Sequence, residues 1–152
     1  MTPERFRQAL PAKGVLCGVD PGTKTIGLAF CDQDWRIAGP DMVVRRTKQV
    51  ADLAAVRARL NARGAKALIV GLPLNMDGTP GPSAQRSRAL ARTMEGAFDL
   101  PVLLWDETLT SVAAEDAMRA AGVPRAKWPE KIDAHAAAIM LQGALNWFAR
   151  DA

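Results

Sequence analysis

The chain has 152 residues, 49% of them hydrophobic, and carries a formal net charge of +4 with a pI near 9.5. That length and apolar content suit one domain, residues 1–152, with a sizeable core. No run approaches 18 consecutive apolar residues, and the N-terminus lacks a basic segment followed by an apolar signal core, so no membrane partner is expected and the cytoplasm is the expected compartment.

In chain order, Val15 to Val19 is short and β-rich enough for a buried strand, Asp20 closes it, and Pro21-Gly22 is a turn dipeptide. Ile26, Leu28 and Phe30 then alternate with smaller residues, the period of a second strand. Cys17 and Cys31 fall inside these apolar strands, so they are expected as reduced core residues rather than as a zinc site or a disulfide. Arg36 to Arg46 predicts a third strand, where Pro40 argues for an edge position or a bulge. Thr47 to Arg63 predicts a helix burying Val50, Leu53, Val56 and Leu60, with Gly64 as its C-cap.

Lys66 to Leu72 contains the continuous apolar run Ala67-Leu68-Ile69-Val70, typical of a strand covered on both faces, and Pro73 stops it. Leu74 to Pro82 is dense in turn formers and leads into a helix from Ser83 to Phe98. Pro101 to Trp105 is a short strand that Asp106-Glu107 ends as Asp20 ended the first. Thr110 or Ser111 can cap a helix reaching Ala121 before Gly122. Pro129 suits the first turn of a last helix running to Arg150 and burying Ile132, Ala136, Ile139, Leu145 and Phe148. An antiparallel meander followed by parallel crossovers predicts an α/β fold, a mixed five-stranded sheet with helices on both faces.

Parallel strands that alternate with helices bring their carboxyl ends to one edge, so Asp20 and Glu107 can face a common crevice. Asp133 lies in the first turns of the last helix, where the helix dipole favours an anion. Three converging carboxylates repel unless a cation neutralises them, and all-oxygen ligands suit a hard ion, Mg²⁺ or Mn²⁺. The basic balance suits a polyanionic partner, and with it nucleic acid.

The stretches Val19-Asp20-Pro21-Gly22-Thr23-Lys24-Thr25-Ile26-Gly27-Leu28-Ala29, Val70-Gly71-Leu72-Pro73-Leu74-Asn75-Met76-Asp77-Gly78, Trp105-Asp106-Glu107-Thr108-Leu109-Thr110-Ser111 and Lys131-Ile132-Asp133-Ala134-His135-Ala136-Ala137 resemble the motifs of the YqgF family, also called RuvX. The resemblance covers nearly the whole chain. It implies a ribonuclease H-like fold, kinship with Holliday-junction resolvases, and a nuclease maturing the 5′ end of pre-16S ribosomal RNA. Carried over by position, Asp20, Glu107 and Asp133 match the family's acids and are the expected catalytic metal ligands. The family usually has Arg directly after the motif glutamate where this chain has Thr108, and Lys24 or Lys131 are candidates to supply that cation.

Among other residues, Lys24, Arg86, Arg88, Arg92 and Lys131 are candidate phosphate contacts, and Asn75 leads the loop expected to read substrate shape. At i,i+4 spacing Arg88 and Arg92 share a helix face, while Arg86 points elsewhere. His135, two residues from Asp133, is expected on a different side of the helix. The four tryptophans are expected as core or rim packing, with Trp128 near Asp133 the best placed to stack on a base. Two other function classes remain open at this level. The Asp20 hairpin is shared with ATP-binding kinase-like proteins, which normally need two such domains, and a noncatalytic RNA-binding factor could keep the same fold.

Overall fold

The computed structural model describes residues 1–75, 77–107 and 110–150. Its elements are α1 (Pro3–Ala9), β1 (Leu16–Pro21), β2 (Thr25–Cys31), β3 (Ala38–Arg45), α2 (Gln49–Arg63), β4 (Ala67–Leu72), α3 (Pro82–Phe98), β5 (Val102–Asp106), α4 (Thr110–Ala120), a 3₁₀ turn at Arg125–Lys127 and α5 (Trp128–Arg150). The strands form one sheet in the order β3-β2-β1-β4-β5. The β1–β2 and β2–β3 pairs are antiparallel, and β1–β4 and β4–β5 are parallel, as the meander-then-crossover pattern predicts.

Period-two alternation divides the core between the two faces. Leu16, Ala29, Ile69 and Leu103 point to the side of α1 and α5, while Cys17, Leu28, Phe30, Leu68 and Val70 point to the side of α2 and α3. Both cysteines are buried and free. On β2 the large residues all face α2 and α3, and the small ones, Gly27, Ala29 and Cys31, face α5. A Cβ added to Gly27 would overlap the main chain at Asp133, and one added to Gly18 would lie 2.9 Å from the Ala137 carbonyl oxygen. The alanine-rich first half of α5 therefore rests with its backbone directly on β1 and β2, which sets the height of Asp133 above the sheet.

The structure differs from the sequence expectation at several elements. Thr2-Pro3-Glu4 starts a helix that periodicity missed: Thr2 Oγ1 accepts the Arg5 amide at 3.2 Å, Pro3 takes the first turn, and Phe6 is buried against Phe148. Val50 is 83% exposed, and Asp52 takes the inward position in the first turn of α2, accepting the Thr47 amide at 2.9 Å. In α5 the buried stripe runs through Ala134, Ala137, Leu141, Leu145 and Phe148, leaving Ile132 and Ile139 half-buried. The Pro40 expectation holds on both counts. β3 is an edge strand, and Asp41 is the extra residue where the register passes from Leu28–Met42 to Ala29–Pro40. Its carboxylate takes Arg59 through two bonds of 2.8 and 2.9 Å and Arg63 at 3.3 Å, tying the bulge to α2. The capping roles of Thr110 and Ser111 fall on side chains outside those described. Among the described residues no helix is long and apolar enough to cross a membrane.

Candidate active site

Because β1, β4 and β5 run parallel, their carboxyl ends share one edge, with Val19 beside Val70 and Leu72 beside Asp106. Asp20 stands on this edge. Glu107 follows β5, and its amide donates to the Leu72 carbonyl at 3.2 Å, so the ladder extends one residue and carries the side chain back over β4. Gly71 makes the room: a Cβ there would overlap the Glu107 carboxyl. The two acids end in hydrogen-bonding contact.

That contact needs a proton which two carboxylates do not carry. Burial pushes Asp20 up to about 6, the Asp133 charge adding to it while the bond with Glu107 opposes it. Burial likewise pushes Glu107 up to about 9, reinforced by the bond and charge of Asp20 and by the charges of Asp133 and Asp106. The pair therefore holds a proton more tightly than free carboxyls do. In the ionised state Glu107 Oε2 is buried with no donor among the described residues.

Asp133 completes the acidic edge from α5. The Thr25 hydroxyl donates to its Oδ2 and holds it beside the hairpin turn. Among the described residues no three acidic, histidine or cysteine side chains are gathered closely enough to form a ready-made metal cluster. The structure thus joins Asp20 and Glu107 directly and keeps Asp133 within electrostatic reach, tethered to Thr25.

Next to the acids, Gly22, Thr23, Arg46, Pro73, Arg86 and Glu107 line a crevice of about 190 Å³. Larger clefts, of about 770 and 410 Å³, lie at the opposite end of the sheet, around Lys13-Gly14-Val15 and Trp35, and hold none of these acids.

Residues 14–147 match a family model, RuvX, described as Holliday junction resolvase. The chain belongs to the RuvX family. It is 51% identical over 147 residues to a protein of Novosphingobium aromaticivorans named "Putative pre-16S rRNA nuclease", covering 97% of this chain and 94% of that one. A protein of the same name from Sphingopyxis alaskensis is 50% identical over 145 residues, with 95% of each covered. Among solved structures, RuvC of T. thermophilus in complex with a Holliday junction substrate aligns with a TM-score of 0.55 at 19% identity, over 91% of this chain and 98% of that one. The Fowlpox virus resolvase bound to junction DNA gives 0.55 at 13% identity, over 88% and 98%. These likenesses establish the ribonuclease H-like fold.

The basic residues of this RuvX chain are placed less simply than its acids. Lys24 is exposed at the hairpin tip, and its carbonyl accepts the Arg46 amide at 2.8 Å. Lys131 stands with His135 over a cleft of about 370 Å³ against Asp41 and Met42 of β3. Neither lysine lines the acidic crevice. Arg88 and Arg92 are exposed on α3, whose inward stripe is Ala84, Ser87, Ala91 and Met94. Arg86 leaves the opposite flank of that stripe and does line the crevice. Asn75 is exposed and donates its amide to Thr79 Oγ1 at 3.0 Å, organising a loop closed by a bridge between Leu74 and Pro80.

His135 is held low by burial and by the Lys131 charge, on the expected different side of α5 from Asp133. Trp128 is half-buried: Arg119 and Arg125 lie 5.4 and 4.9 Å from its ring centre, and its indole N–H donates to the Val123 carbonyl at 3.0 Å. Trp35, Trp105 and Trp147 pack around Phe148. Thr108 lies outside the described residues.

Thr25, Arg46 and Gly71 belong to the site without having been singled out as site residues from sequence, whereas Arg86 was expected as a phosphate contact. Thr25 and Gly71 stand inside the quoted motifs. A glycine two residues before the motif proline Pro73, and a hydroxyl five residues after Asp20, are the signals that could have marked them.

Proposed function

We propose that this RuvX-family protein is a divalent-metal-dependent nuclease that hydrolyses phosphodiester bonds in RNA. Its proposed task is maturation of the 5′ end of pre-16S ribosomal RNA during ribosome biogenesis in the cytoplasm. The observation that carries the reading is the Asp20–Glu107 pair: two buried carboxyl groups in contact, one oxygen lacking a donor, with a third acid beside them. Such a pair is stable with a shared proton or with a cation in its place.

The residues fit a hard divalent ion. Asp20, Glu107 and Asp133 offer only oxygen donors, which suit Mg²⁺ or Mn²⁺, and Glu107 Oε2 is the atom most in need of a positive partner. When bound, such an ion supplies Lewis acidity that activates water and stabilises the leaving oxygen. The chain's own residues do the rest. Gly71 lets Glu107 reach Asp20, Thr25 orients the Asp133 carboxylate, and α5 resting on Gly27 fixes the height from which Asp133 descends. Lys24, Arg88, Arg92 and Lys131, all exposed, are assigned to phosphates flanking the crevice, and the Asn75 loop to substrate shape.

The family's resolvase description and the relatives' RNA-nuclease name point to different substrates, so the test pairs them. Purified protein is given a ribosomal RNA precursor and a four-way DNA junction of matched concentration, in Mg²⁺, in Mn²⁺ and in chelator. Cleavage of the precursor, lost in chelator and in Asp20→Asn, is expected. Structure-specific junction cutting with the RNA intact would transfer the assignment to branched DNA, and binding without cutting in either metal would leave a noncatalytic RNA-binding factor.

A further inference from the structure

Two guanidinium groups share the small crevice with Glu107, yet neither is paired with it. Among the described residues the ion pairs join Arg59 and Arg63 to Asp41 and Arg119 to Asp116. The groups acting on the Glu107 carboxyl are acids, apart from burial itself. Arg46 donates to the Gly22 carbonyl at 2.7 Å and Arg86 to Ser83 Oγ at 3.0 Å. A guanidinium carries five N–H donors in a planar fork, so one side-chain bond apiece among the described residues leaves donors to spare. Arg86 is exposed and Arg46 half-buried, so both forks reach the crevice, and the acid-ringed carboxyl opposite gives them no partner. They suit a ligand that lies between them. The volume, about 190 Å³, equals roughly six waters of liquid. It accommodates a phosphodiester with part of its sugar.

We propose that Arg46 and Arg86 form a clamp on the non-bridging oxygens of the phosphodiester to be cut, facing Glu107 across the crevice. This rests on the nuclease reading above and names the residues that grip its substrate. Arg86 comes from the second turn of α3 and Arg46 from the chain just beyond β3, so the clamp closes from two sides of the edge on which Asp20 stands. Forked guanidinium–phosphate bonding fixes orientation as well as charge, which a lysine does not reproduce. Arg46 has a second duty, since its bond to Gly22 also holds the hairpin turn. The decisive variants are therefore at Arg86, which is exposed on its helix and can be replaced without opening the core.

The test measures Arg86→Ala, Arg86→Lys and Arg46→Lys, with Arg36→Ala as the same charge change at the far end of the sheet. A short single-stranded RNA is titrated in chelator across a salt series, and cleavage of the precursor is followed in Mg²⁺. Arg86→Ala should reduce kcat by tenfold or more and lower the salt slope of binding by about 0.7, the loss of one phosphate contact. Arg86→Lys should restore the slope but not kcat, Arg46→Lys should lower kcat with the slope kept, and Arg36→Ala should leave kcat unchanged. Wild-type cleavage with Arg86→Ala equal to it in both kcat and slope would overturn the clamp and spare the nuclease reading. A wild-type protein that leaves RNA intact while Arg86→Ala still loses the slope would do the reverse. An equal loss of kcat in Arg36→Ala would show that net charge alone matters, and would also overturn the clamp.

Discussion

The residue that organises the acidic edge is Glu107, because its proton links site chemistry to stability. Its carboxyl rises from 4.5 to about 9 and that of Asp20 from 3.8 to about 6, so the folded state binds protons more tightly than the unfolded chain does. That contribution to stability is fully present below about pH 4 and is lost as pH rises through 6 and then 9. Metal-free protein should therefore show a melting temperature lowered by this pair across pH 4 to 9. On the proposed metal site, a divalent ion would have to displace the same proton, so the rise in melting temperature on adding Mg²⁺ should grow with pH over that window. Melting curves with and without Mg²⁺ at several pH values check both; an increment larger at pH 5 than at pH 8 would contradict the shared-proton account. Asp20→Asn removes one of the two charges while keeping shape. It should raise metal-free stability at pH 8 by about 1 kcal/mol, remove most of the Mg²⁺ increment and abolish cleavage. Retained cleavage in the purified variant would exclude Asp20 as an essential ligand. Both acids were legible as strand-terminating carboxylates, Asp20 before Pro21-Gly22 and Glu107 after a short apolar run. Their mutual contact was not, since it depends on Gly71 lying beneath a side chain 36 positions later.

At the scale of elements, α5 against β1 and β2 decides where the third acid sits. The small residues at 18, 27, 134 and 137 allow a backbone-on-backbone approach that larger side chains would prevent. Gly27→Ala inserts a methyl group where the Asp133 main chain already lies, so it should destabilise the protein by about 1–3 kcal/mol. It should also cut nuclease activity more than the stability loss explains, by displacing Asp133 from Thr25. Urea unfolding alongside kcat distinguishes the two effects. A variant as stable and active as the wild type would show that α5 does not rest on Gly27. The edge strand β3 illustrates the other side of this scale. Pro40 announced the irregularity in the sequence, but that the bulge turns Asp41 onto Arg59 and Arg63 follows only from the docking of α2.

For the molecule as a whole, the sheet brings three acids from β1, the end of β5 and α5 to one edge, and the proposed ion, if bound there, would hold distant segments together. Mass action then requires Mg²⁺ or Mn²⁺ to raise the melting temperature progressively with concentration, by an amount equivalent to about 2.7 kcal/mol at a hundredfold excess over Kd. A melting temperature unmoved by millimolar Mg²⁺ or Mn²⁺ at pH 8 would remove the metal from the account. Much of this arrangement is local information. Apolar alternation, the continuous run of β4, the glycines after α2 and α4, and the motif carboxylates together determine the elements, their order and the three acids. What only tertiary structure decided is which cations meet those acids. Spacing favoured Arg88 and Arg92 because they share a helix face, yet the face of α3 that turns inward is set by packing on the sheet, and that rotation carries Arg86 to the crevice instead. Helical periodicity relates residues to one another but leaves the angle of the whole helix free, and packing of its apolar stripe against its own face of the sheet is what fixes it.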